Sequence, residues 1–209
     1  MHTVRIRSIA LCLLVCLLFL GGCVYNPWGQ IPIIPMEPAN LIENGDAENN
    51  GLGWNFSSFD ATVHSASGNP AFAIRNDATL RHTVNIGNPL GAYVVVMAMS
   101  ATETIGPTGM GMIWGDFIDA VDPQLVVGGL FSNQLYSTAT IPDQWVPLTA
   151  YIPIPSNAGQ IMLYMANTEM PGVPHDGAWT WFDDVELWIV ETEQEAIDLI
   201  NAYKARHMP

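Results

Sequence analysis

Apolar and polar positions follow four successive patterns along the chain. From Ile9 to Leu20 the sequence is an unbroken apolar run, IALCLLVCLLFL, preceded by Arg5 and Arg7 and followed by Gly21, Gly22 and Cys23. Val24 to Asn40 has no periodicity and carries Pro27, Pro32, Pro35 and Pro38. Repeated prolines fix φ and remove donors, so this stretch predicts extended chain. It acts as a stiff spacer or, through Ile33 and Ile34, as an edge segment packed on the domain that follows. Leu41 to Val190 consists of short β-rich runs between turn signals, which predicts an all-β domain. The predicted strands are Gly53–Ser58, Ala61–Ser65, Phe72–Ile74, Thr79–Ile86, Ala92–Thr102, Gly111–Ile118, Leu125–Leu130, Leu135–Ala139, Trp145–Ile152, Gln160–Ala166 and Trp179–Val190. Breakers such as Asn50-Gly51, Gly68-Asn69-Pro70, Asp122-Pro123 and Pro171-Gly172 separate them. Many short strands at this spacing indicate a sandwich or barrel. In Glu191–Pro209 the period changes. Thr192 and Glu195 have the spacing of a capping box, Ala196, Ile197, Ile200 and Tyr203 share a helical face, and acids precede bases. A short C-terminal helix docked on its own domain is expected, with a handle for a partner as the alternative.

The first segment reads as a secretory signal peptide. Its apolar run is well short of the roughly 20 residues that cross a bilayer as a helix. Leu20-Gly21-Gly22-Cys23 resembles a bacterial lipobox. That resemblance implies cleavage after residue 22, lipidation of Cys23 and a membrane partner reached through the N-terminal lipid. In a Gram-negative host, Val24 after the cysteine implies the outer membrane. The plainer alternative is secretion with Cys23 left as a thiol. The expected organisation is a signal peptide over 1–22, a lipidated cysteine and linker over 23–40, a β-domain over 41–190 and a helix over 191–209.

This organisation changes how the charge is read. The full chain has six basic and 20 acidic residues, a formal −14. Losing Arg5 and Arg7 with the leader leaves four basic residues, Arg75, Arg81, Lys204 and Arg206, against the same 20 acids, a formal −16. Nucleic-acid binding is excluded as a role, because it needs cations that displace counterions from phosphates. Acidity favours solubility, cation binding or neutral ligands. The three cysteines are Cys12, Cys16 and Cys23, so the β-domain has none for a disulfide, a thiolate metal site or a nucleophile.

Two segments carry more than composition. Asn40-Leu41-Ile42-Glu43-Asn44-Gly45-Asp46-Ala47-Glu48, followed by Gly53-Trp54, opens the domain, and Trp181-Phe182-Asp183-Asp184-Val185-Glu186-Leu187 closes it. The pair resembles the ends of galactose-binding-domain-like jelly rolls, especially carbohydrate-binding modules of families four, nine and twenty-two. The resemblance implies a jelly-roll β-sandwich, a glycan as partner, and a structural calcium ligated by Glu48 and Asp183 with main-chain oxygen from around Gly45. Ala47 departs from the family, which has an aromatic there, and predicts looser local packing. Strand alternation puts Asp183 on the side of Val185, Leu187 and Ile189, pointing inward. An inward carboxylate needs a partner or a cation; otherwise Asp183 caps a turn and Glu48 is simply solvated. Pro147, within Trp145–Ile152, predicts an edge strand or a bulge.

Sugar binding needs aromatic faces. Trp54 and Trp145 are expected in the core. Trp114 and Asp116 share a strand face with Met112, while Tyr136 and Trp179 flank loops. Trp114, Asp116, Tyr136 and Trp179 are the candidate ligand-facing residues, with ordinary packing the alternative for each. No G-x-S-x-G or H-E-x-x-H occurs. His175-Asp176 reads as a solvated loop pair, and Asp116, Asp119 and Asp122 as a turn or cation-binding loop. The sequence therefore predicts a non-catalytic, membrane-anchored, carbohydrate-binding-like lipoprotein of the cell envelope. The alternative is a structural or scaffolding lipoprotein that uses the fold for protein contact.

Overall fold

The computed structural model describes residues 39–66, 68–87, 89–103, 110–132, 144–168 and 177–208. The leader, Cys23, most of the linker, the predicted strand Leu135–Ala139, Tyr136 and His175-Asp176 lie outside the described residues. Among the described residues ten strands and one helix occur in the order β1 (Asn55–Phe56), β2 (Ala61–Ala66), β3 (Asn69–Ile74), β4 (Thr79–Asn85), β5 (Tyr93–Thr102), β6 (Met110–Asp119), β7 (Val126–Phe131), β8 (Val146–Pro153), β9 (Ala158–Thr168), β10 (Thr180–Val190) and α1 (Glu193–His207).

They form two antiparallel five-stranded sheets, β1-β4-β9-β6-β7 and β2-β3-β10-β5-β8. From β3 onward the chain crosses between sheets at nearly every step, and among the described strands only the pairs β2–β3 and β6–β7 are neighbours in both sequence and space. This is the double Greek key of a jelly-roll β-sandwich. The main core lies between the sheets and includes Trp54, Phe72, Leu80, Ile113, Phe117, Leu130, Leu148, Leu163, Phe182 and Leu187. Pro147 lies in β8, which is an edge strand, where a missing donor costs least.

β5 reads YVVVMAMSAT and is buried at every position after Tyr93. It lacks alternation because both of its faces are covered. Val94, Val96 and Ala98 enter the main core. Val95, Met97 and Met99 meet Ala196, Ile200 and Tyr203 of α1 in a second core on the outer side of the sheet. The helix is thus docked on its own domain. Its start is fixed by the expected capping box: Thr192 Oγ1 accepts the Glu195 N–H (3.2 Å) and Glu195 Oε2 accepts the Thr192 N–H (3.0 Å). Among the described residues no helix is long and apolar enough to cross a membrane.

β10 contains a bulge between Asp183 and Glu186, with Asp184 in the left-handed region at φ 49°. The bulge corrects the expected orientation of Asp183. Thr180 and Phe182 face inward before it, and Val185 and Leu187 face inward after it. The extra residue resets the alternation. Asp183 therefore stands opposite Met99, on the outer side of the sheet. The fully buried Tyr203 of α1 clamps this bulge by donating its hydroxyl to the Asp184 carbonyl (2.9 Å). Burial pushes the Tyr203 hydroxyl pKa far up, so it stays a donor. Tyr203→Phe removes that donor and leaves the bulge carbonyl unpaired, at a cost of about 1–2 kcal/mol. A melting temperature lowered by roughly 3–6 °C is expected; an unchanged melt would show that α1 does not hold the bulge.

Candidate functional site

The opening and closing segments meet at this bulge. Beyond Phe182, β10 no longer pairs with β3, and the free edge is taken by residues 40–45. Leu41 donates its N–H to the Leu187 carbonyl (2.8 Å), and Val185 donates to the Gly45 carbonyl (2.9 Å). Asn40 Oδ1 accepts from both Ile42 and Leu187. Asn44 then shapes the loop: its Oδ1 accepts from Asn49 N–H, its Nδ2 donates to the Leu52 carbonyl, and its own carbonyl accepts from Trp54 Nε1. Ala47 is fully enclosed in the main core, so the missing aromatic leaves no exposed gap at that position.

Asp183 is half-buried here. Burial pushes its carboxyl up to about 7; the Asp184 N–H on its Oδ1 (2.8 Å) works against this, and the charges of Asp184, Asp46 and Glu48 add to the rise. The structure thus brings Asp183, Glu48 and Gly45 to one place and adds Asp46. Oxygen donors under mutual repulsion suit a hard cation in chemistry. They do not close around one, because among the described residues no three His, Cys, Asp or Glu side chains are grouped to hold a metal. The Gly45 carbonyl is already engaged by Val185.

The aromatic candidates separate. Trp114 and Asp116 lie on the outer face of the β1-β4-β9-β6-β7 sheet, half-buried, with Met112 beside them. The strand register sets Trp114 opposite Tyr164 of β9 and Phe131 of β7, and Tyr164 opposite Arg81 of β4. Four side chains therefore form one row across four strands: Arg81, Tyr164, Trp114, Phe131. The Trp114 and Tyr164 rings stack with centroids 4.9 Å apart and planes at 14°. Phe131 is 67% exposed. In the adjacent row Asp116 faces Gly129, over which the Phe131 ring leans: a Cβ at Gly129 would meet Phe131 Cε2 at 3.5 Å. Desolvation raises the Asp116 pKa, and burial together with the Asp116 charge raises that of Tyr164. No described element covers this face, whereas α1 covers part of the opposite sheet.

Trp179 sits elsewhere, before β10. Its ring takes the Arg75 guanidinium at 4.5 Å and lies nearly parallel to His64, and the Trp179 backbone N–H donates to Glu103 Oε2 (3.1 Å). Arg75 is itself paired with Asp60 at 2.6 Å. These contacts hold Trp179 in place and do not bring it to Trp114. Asp119 and Asp122 line the β6–β7 turn, where Asp119 Oδ1 accepts from Val121 and Asp122, and Asp122 Oδ1 accepts from Gln124. These turn donors hold the Asp119 carboxyl below its ordinary range. A cleft of about 320 Å³ lies between the opening loop and β4, lined among others by Glu43, Asn49, Leu52, His82 and Thr83. The ring of His82 is occupied against Trp54 and Gly53, so the cleft offers no free aromatic face and the row on the sheet is the better platform.

Tyr164, Phe131 and Arg81 were not singled out from the sequence. Alternation in Gln160–Met165 marks Tyr164 as outward, but only the register of β4, β9, β6 and β7 places it beside Trp114.

No protein-family model matches the chain, and no curated protein matches it. Solved structures do. A cyclase from Fischerella sp. TAU is similar with a TM-score of 0.51 at 12% identity, over 75% of this chain and all of that one. A family 16 carbohydrate-binding module is similar with a TM-score of 0.49 at 18% identity, over 71% of this chain and 99% of that one. A xylan-binding domain of carbohydrate-binding module family 22 is similar with a TM-score of 0.48 at 16% identity, over 74% and 97%. At these identities the likeness is one of fold, and fold does not fix function.

Proposed function

We propose that the chain is a non-catalytic glycan-binding module whose site is the outer face of the β1-β4-β9-β6-β7 sheet. The observation that carries this reading is the stacked Trp114–Tyr164 pair, in line with exposed Phe131 and next to Asp116. An apolar ring face meets the C–H face of a sugar, and a neighbouring carboxylate accepts its hydroxyls. A few polar groups around an apolar surface are what a ligand site requires. Among the described residues the row of Asp116 is Gly129, Met162 and Thr83, with no second carboxylate, which favours binding over hydrolysis by a carboxylate pair. A glycan array probed with the purified domain tests the reading: retention of a family of oligosaccharides is expected, and loss of all retention in the presence of calcium would overturn it.

Two further parts of the proposal concern setting and stability. The lipobox-like Leu20–Cys23 supports a lipid anchor at Cys23, with residues 24–40 as the spacer and the outer membrane as the destination. Metabolic labelling with a clickable fatty acid is expected to mark the wild type and not Cys23→Ser. Structural calcium at Glu48 and Asp183 rests on the family-like opening and closing segments and on a carboxyl that burial first, and neighbouring acids second, push up to about 7; the side chains would have to close further to hold the ion. Adding millimolar calcium to metal-stripped protein is expected to raise the melting temperature by several degrees. That gain should vanish in Asp183→Asn; no calorimetric heat and no melting shift would remove calcium from the account.

A further inference from the structure

The row on the sheet face ends in a cation. Arg81 lies on the same outer face as Tyr164, one strand away, and is exposed. The other two arginines among the described residues are both committed, Arg75 to Asp60 and Arg206 of α1 to Glu186. In a chain with 20 acidic residues, Arg81 has no carboxylate partner among the described residues. Its charge reaches the platform, since it lowers the Tyr164 pKa that burial and Asp116 raise.

We propose, resting on the glycan reading above, that this platform selects a sparsely anionic glycan: a mostly neutral chain carrying an isolated uronate or sulfate group that docks on Arg81. A guanidinium binds a carboxylate or sulfate through two parallel charge-assisted hydrogen bonds. Three strand spacings separate Arg81 from Phe131, about 14 Å, a length that takes a short oligosaccharide rather than one sugar. The anion sits at the Arg81 end while neutral rings lie along Tyr164, Trp114 and Phe131. Sparseness follows from Asp116, two strands from Arg81 and one row along. That carboxylate accepts hydroxyls from a neutral residue and repels a second anion. A chain charged at every residue would place one there, against a domain that is already strongly acidic.

The test uses an array in which each neutral oligosaccharide is printed beside its singly uronate-substituted, singly sulfated and fully uronate counterparts, followed by titration calorimetry of the best set. For the wild type, a single uronate or sulfate is expected to tighten binding by about tenfold, which corresponds to about 1.4 kcal/mol, and full substitution to weaken it below the neutral chain. The uronate and sulfate arms show which anion is preferred. Arg81→Gln is expected to bring the ratio of singly charged to neutral affinity down to about one, with the readout being that ratio and not the neutral affinity itself; Arg81→Lys should keep part of the preference. Equal affinity for neutral and singly charged chains, or an Arg81→Gln loss that is the same for both, overturns the proposal while leaving the platform standing. If no chain binds at all, the platform fails and takes the charge preference with it.

Discussion

Trp114→Ala is expected to abolish glycan retention with little change in folding. Trp114 is half-buried on an outer sheet face, stacked on Tyr164 on one side and opposite exposed Phe131 on the other. Removing it takes away the largest ring of the platform and the stacking partner of Tyr164, which is then held only through its hydroxyl on Met162 Sδ. Central aromatic residues of an interface cost about 2 kcal/mol or more on truncation, a loss of roughly 30-fold in affinity. The same change in the main core would cost about 3–5 kcal/mol of stability, whereas Trp114 contributes nothing to the packing between the sheets. The melting temperature should therefore fall by only a few degrees. Trp179→Ala is the control. Trp179 is held by Arg75, His64 and Glu103, remote from the row, and its loss is expected to leave glycan affinity within about twofold of the wild type. If affinity electrophoresis shows Trp114→Ala retained like the wild type and Trp179→Ala released, the site lies at the start of β10 instead.

The architecture was legible because local patterns and tertiary demands agree over most of the chain. β4, β6 and β9 show period-two alternation, Pro147 marks an edge, and Thr192 with Glu195 marks a helix start; all lie where those rules place them. The orientation of Asp183 was not legible, because a bulge with Asp184 at positive φ has no signature in Trp181–Leu187, which carries no glycine at the bulge. The site was half legible. Trp114 and Asp116 share a strand and could be read from parity alone. Tyr164, Phe131 and Arg81 come from three other strands, and adjacency across strands is set by register, which the loops and the core decide together. The double burial of β5 explains why its helix could be read only as an amphipathic stripe: the surface it covers is the odd-numbered side of a strand whose other side already fills the core.

Gly45→Ala is expected to have the largest effect on folding, and its cause lies in the meeting of the two ends of the domain. A Cβ at Gly45 would collide with the Val185 carbonyl oxygen and stand 2.9 Å from its carbon and 3.1 Å from the Val185 nitrogen. Those atoms are backbone, so no rotamer change relieves the clash; the opening segment must lift from the bulge. Lifting breaks the Val185–Gly45 hydrogen bond and strains Leu41–Leu187 and the double acceptor role of Asn40. It also draws Ile42 and Ala47, both in the main core, away from their neighbours. Overpacking against a rigid neighbour alone costs about 1–3 kcal/mol, and each buried backbone group left unpaired adds about 1–3. A fall of roughly 8–15 °C in the melting temperature is therefore expected for a domain of this size, seen by circular dichroism. Asp46→Ala, one residue along in the same loop but exposed, should move it by no more than about 2 °C. A Gly45→Ala protein that melts with the wild type would mean that the opening segment is not docked on β10, and the proposed gathering of Glu48 and Asp183 would then have no scaffold.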